Sequence, residues 1–129
     1  MGAKYFETVA IGKNDLGAFR NAKQEALYDH GHSGYSGSLA EKPGHKLLNP
    51  PQATPIEAAL NYIEHAFDKN LEKVPEALRG WAEKASDVAN GSKWDDALCI
   101  ELTPDESEGY GVICPSDYKA YLFTGYASS

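Results

Sequence analysis

The spacing of apolar residues shifts along the chain, and each shift marks an element. Residues 4–11, KYFETVAI, read as a strand, and the contiguous Val9, Ala10 and Ile11 put part of it in contact with apolar matter on both faces. Gly12 ends it. Asn14 or Asp15 can cap a helix by accepting a backbone N–H bond, after which Leu16, Phe19, Ala22, Ala26 and Leu27 recur at helical spacing up to Tyr28, with Gly31 as the closing residue. Between 31 and 53 no period is visible. Ser38-Leu39-Ala40 is expected to form a short strand there, and Asn49-Pro50-Pro51 to end the stretch as stiff, extended chain. A loop of this length is uncommon in a compact domain and is often functional.

The second helix carries the clearest start signal. Thr54-Pro55-Ile56-Glu57 has the form of a capping box with proline at its first turn, and Ile56, Ala59, Leu60, Ile63 and Phe67 follow on one face. Pro75 opens a third helix with Val74, Leu78, Trp81, Ala85 and Val88 as its stripe, closed by Asn90-Gly91. Gly80 inside it costs about 1 kcal/mol of helix propensity relative to alanine, so close packing is expected there. Three strands are then expected: Ala97–Leu102, Tyr110–Cys114 and Lys119–Ala127. Thr103-Pro104-Asp105 and Pro115-Ser116-Asp117 would turn between them, with the acidic residues 105–108 as a solvated tip. The fold class is therefore α+β: an antiparallel sheet of about four strands, one N-terminal and three C-terminal, with about three helices packed mainly on one face.

The chain has 129 residues, 42% hydrophobic and 11% aromatic, which suits a single domain over 1–129 with one core and no need of covalent staples. No apolar run approaches the roughly 20 residues of a membrane span, and the N-terminus reads as neither an export signal nor a myristoylation site. A cytoplasmic protein is expected. Cys99 and Cys114 both lie in apolar stretches and are expected as buried, reduced thiols on neighbouring strands.

Charge narrows the partners. The net charge is −7, and residues 94–129 hold seven acidic side chains against Lys119 alone. Nucleic acid held on a broad basic face is excluded, whereas the acidic third could meet a basic protein surface. Trp94 beside Asp95 and Asp96 would anchor such a partner if exposed, with Asp105 and Glu106 extending the surface; alternatively Trp94 closes the core at a helix–strand junction.

The aperiodic stretch YDHGHSGYSGSLAEK, residues 28–42, holds the remaining chemistry. Glycines let backbone N–H groups converge on an anion. Here Gly34 and Gly37 would supply backbone donors, Ser36 and Ser38 hydroxyls, Tyr35 a stacking surface, His30 and His32 further polar contacts, and Lys42 charge. The spacing matches neither a Walker loop nor a dinucleotide fingerprint. A second reading brings Asp29, His30, His32 and His45 together as metal ligands; a third pairs Ser36 or Ser38 with His30 or His32, oriented by Glu41, for acid–base or covalent catalysis. Binding is preferred to catalysis, and no cofactor is expected.

The motif His30-Gly31…Gly34-Tyr35-x-Gly37-x-Leu39-Ala40, together with the ending Phe123…Gly125-Tyr126-Ala127-Ser128, resembles a type of small bacteriophage accessory protein. The resemblance covers both ends of the chain and leaves the helical middle unmatched. It implies a phage accessory protein of the host cytoplasm; many such proteins blunt host defences, by sequestering a small anionic or nucleotide-like ligand, by blocking a host defence protein as anti-CRISPR-like inhibitors do, or by enzymatic modification. At this size a site could also be completed across the two-fold axis of a homodimer.

Overall fold

A computed structural model describes residues 3–30, 38–92 and 94–128. Its elements in chain order are β1 (Ala3–Gly12), α1 (Asp15–His30), β2 (His45–Leu47), α2 (Ile56–Phe67), α3 (Glu76–Ala89), β3 (Ala97–Leu102), α4 (Pro104–Gly109) and β4 (Lys119–Ser128), with 3-10 turns at Leu39–Glu41 and Leu71–Lys73. The fold is α+β. The strands form one sheet in the order β1-β4-β3-β2. β4 runs antiparallel to both neighbours, from Ala3↔Ser128 to Gly12↔Lys119 on one side and from Leu98↔Thr124 to Leu102↔Ala120 on the other. β2 pairs with β3 in parallel, so the sheet is mixed and not purely antiparallel.

Side-chain alternation divides the core in two. Phe6, Ala10, Ala97, Cys99, Tyr121, Phe123 and Ala127 point to the face covered by α1, where they meet Ala18, Phe19 and Ala22. Leu98, Ile100, Leu102, Ala120 and Leu122 point the other way, onto Ile56, Ala59 and Ile63 of α2 and Leu78, Trp81 and Ala85 of α3. Two of the three long helices thus share one face and α1 covers the other. The central strands are buried on both faces, which is why β3 and β4 read as nearly unbroken apolar runs.

Four local expectations change. Ser38-Leu39-Ala40 does not form a strand: Ser38 caps the 3-10 turn Leu39–Glu41. The strand of this region is β2, too short and too exposed to announce itself. Tyr110–Cys114 is not a strand either, because β4 already has both partners. Instead Val112 is tied to α4, its N–H donating to the Ser107 carbonyl at 3.0 Å and its own carbonyl accepting from the Ser107 hydroxyl at 2.6 Å. Cys114 consequently sits half-buried in a loop, its thiol donating to the Tyr118 carbonyl, while only Cys99 is a buried strand thiol. The acidic tip 105–108 is helical and forms α4.

The capping box also moves. At Thr54 the hydroxyl donates to the Gln52 carbonyl and Pro55 takes the cap position with no side-chain bond. The second Thr-Pro-x-Glu, Thr103 to Glu106, forms the box: Thr103 Oγ1 accepts from the Glu106 N–H at 3.1 Å, and Glu106 Oε1 accepts from the Thr103 N–H at 2.9 Å. Its other oxygen, Oε2, accepts from the Ile56 N–H and so caps α2 across a gap of 50 residues. Glycines are used unequally. A Cβ on Gly12 would lie 2.3 Å from the Ala18 backbone nitrogen, so only glycine fits where β1 meets α1. Gly80, by contrast, is exposed with nothing within 4 Å of a Cβ, so close packing does not explain it.

Urea unfolding should show Glu106→Ala costing about 2 kcal/mol, since two helix starts lose an anionic acceptor. Glu57→Ala should stay within about 0.5 kcal/mol. In the same assay Gly80→Ala should stabilise by about 0.5–1 kcal/mol, whereas Gly12→Ala should destabilise by about 1–3 kcal/mol.

Candidate functional site

Of the loop residues singled out in the sequence, His32, Gly34, Tyr35, Ser36 and Gly37 lie outside the described residues, as does the side chain of His30. Two are described, Ser38 half-buried and Lys42 buried. Ser38 Oγ accepts from the Ala40 N–H at 3.3 Å. Lys42 is 1% exposed, and its ammonium donates to the Ser92 carbonyl at 3.4 Å. Burial lowers the pKa of this amine, and Asp95 and Asp96 partly oppose the shift. Its hydrocarbon stem passes Gly125, where a Cβ would lie 3.7 Å from the lysine Cε. Lys23 fixes the backbone at this point by donating to the Lys42 carbonyl at 2.7 Å. The lysine is thus aimed at the turn joining α3 to β3 and at that turn's carboxylates.

His45 is drawn into a different partnership from the metal set. Its Nε2 lies 2.7 Å from Asp15 Oδ2, at the first turn of α1, where a carboxylate is also favoured by the helix dipole. The ring stacks on Phe19 with centroids 4.8 Å apart and meets the edge of Phe123. These contacts fasten the short edge strand β2 over α1. Among the described residues no group of three His, Cys, Asp or Glu side chains is placed to hold a metal.

The acidic partner surface is split. Trp94 is 58% exposed, beside Asp95 and Asp96 at the start of β3, and so does not close the core. Asp95 Oδ2 accepts from the Ser92 N–H at 3.0 Å and shapes the turn. Asp105 and Glu106 lie past the far end of β3, a six-residue strand that spans about 17 Å, and Glu106 is committed to the two helix caps. The structure brings Trp94, Asp95 and Asp96 together and leaves Asp105 and Glu106 apart from them.

The feature that sequence reasoning missed is a cleft of about 470 Å³ between α2 and the Tyr5 end of the β1–β4 ribbon. Tyr5 and Tyr126, neighbours across the two strands, meet edge to face with centroids 5.5 Å apart. Phe67, 49% exposed, stands on the opposite wall with Glu64 and Asp68, and Thr124 and Ala89 lie deeper. Glu7 projects from β1, and the Tyr5 hydroxyl donates to its Oε2 at 3.4 Å. Partial burial raises the Tyr5 phenol's pKa, against a lowering hydrogen bond from Thr124 and with the Glu7 charge adding to the rise. Each wall was legible by itself: Tyr5 and Glu7 are two apart on a strand, and Glu64, Phe67 and Asp68 follow the three- and four-residue spacing of a helix face. Nothing local says that α2 lies opposite Tyr5.

Among the described residues no helix is long and apolar enough to cross a membrane. No family model, no curated protein and no solved structure matches the chain.

The buried lysine sets a pH test. A folded-state amine held below its unfolded value near 10.4 leaves the folded chain with fewer protons between the two values. Its penalty on stability is therefore full below the folded value and fades as pH rises toward about 10.4. Lys42→Met should be more stable than the parent chain by about 1 kcal/mol at neutral pH, and this difference should shrink in urea titrations carried to alkaline pH. Lys42→Ala, which also empties the channel past Gly125, should fall about 2 kcal/mol below the methionine variant.

Proposed function

We propose that the protein is a small-ligand binding protein whose site is the cleft between α2 and the Tyr5 end of β1 and β4. The observation that carries this reading is the lining itself. A concavity of about 470 Å³ falls in the size range of small-molecule sites and joins aromatic walls from Tyr5, Tyr126 and Phe67 to convergent polar groups from Asn61, Asn90 and three carboxylates. Lys42, the lysine assigned to the Gly/Ser loop, is buried against the α3–β3 turn, so the described part of the loop supports the role less well. With the resemblance to phage accessory proteins, the reading becomes that of a capture protein: it would act in the host cytoplasm by withholding a small molecule that a host defence needs.

A second reading rests on exposed Trp94 with Asp95 and Asp96, which suit a basic patch on a host protein. Native mass spectrometry of protein purified from its host, against a denatured control, separates the two. For the cleft reading, a small mass that co-purifies with the parent chain is retained in Trp94→Ala and lost in Phe67→Ala. A bound polypeptide lost only in Trp94→Ala would move the function to the turn and refute the cleft.

A further inference from the structure

We infer that the ligand of the cleft is a free alkyl polyamine, held through its ammonium groups; this rests on the reading that the cleft is the ligand site. The lining carries three carboxylates, Glu7 from the strand wall and Glu64 and Asp68 from the helix wall, and no lysine, arginine or histidine. An anion would meet three like charges at close range, while an ammonium meets opposite charge on two sides. The aromatic groups serve the same chemistry. Tyr5, Tyr126 and Phe67 present rings at the cleft, and a ring face attracts a cation within about 6 Å of its centroid.

Leu60, Ile63 and Ala89 also line the cleft and give it apolar surface suited to the methylenes that separate the charges of a polyamine. The net charge of −7 would draw a polycation in from a distance. The volume, about 470 Å³, suits a whole small molecule.

Isothermal titration with spermidine at low salt tests this directly. The expected result is saturable one-site binding that weakens with added salt. Glu64→Gln with Asp68→Asn should weaken it about tenfold or more, and Phe67→Ala by about two- to fivefold; all three side chains are exposed, so folding is not at stake. Glu108→Gln with Asp117→Asn changes net charge equally but lies outside the cleft and should leave affinity unchanged. Equal loss in both double variants would mean diffuse attraction to an acidic surface and would overturn the inference. So would cleft-dependent binding of a lysine-rich peptide in preference to spermidine, since the ammonium would then belong to a protein partner. A neutral or anionic small molecule bound in a Phe67-dependent way, with spermidine unbound, would overturn the inference and leave the ligand-site reading standing. No small molecule bound there at all would remove both.

Discussion

The two central strands, β3 and β4, are apolar on both sides, and the rest of the molecule follows from the need to cover them twice. Residues 120–125 of β4 are all buried, with the antiparallel partners β1 and β3 on either side. A sheet of this kind cannot leave a face to water. α1 therefore closes one side through Ala18, Phe19 and Ala22, and α2 with α3 closes the other. The pairing of Ala3 with Ser128 makes this arrangement dependent on residues from both ends of the chain, which accounts for an aromatic-glycine-aromatic strand at the C-terminus being matched to a tyrosine-containing strand at the N-terminus.

The cleft lies where elements of unequal length meet. β1 and β4 each run for ten residues, about 33 Å. α2 has twelve, about 18 Å. Fixed at its start by Glu106 and packed along Ile56, Ala59 and Ile63, α2 ends with Phe67 and Asp68 across from Tyr5. Tyr5 and Tyr126 are left with one side open, and the helix end contributes Phe67 and Asp68 to the opposite wall. The cleft thus involves no long loop: its walls come from β1, β4, α2 and the end of α3.

Polar groups in the interior act mainly as fasteners. Lys42 hooks the chain after the Gly/Ser loop onto the α3–β3 turn, His45 clamps β2 to the first turn of α1, and Glu106 joins α4 to α2. Each links segments distant in sequence, and each costs more to leave half-paired than it contributes when satisfied. Residues with the chemistry of a site, a lysine, a histidine and a glutamate, are here spent on holding three irregular joints together.

Much was legible in the residues themselves. Alternation and contiguous apolar runs marked β1, β3 and β4, and helical spacing marked α1, α2 and α3, because those patterns report which side of a regular element meets the core. Local chemistry decided less. Thr54-Pro-x-Glu57 and Thr103-Pro-x-Glu106 carry the same signal, yet only the second forms a capping box, and its glutamate then caps the helix that the first introduces. The tertiary structure also made His45–Leu47 a parallel strand, turned Lys42 inward, separated Asp105 and Glu106 from Trp94, and set α2 across from Tyr5. Periodicity is a property of one element against a generic apolar environment, so the sequence alone determined these six long elements but not β2 or α4. Caps, buried charges and clefts depend on which element lies opposite, and only the packed chain decides that.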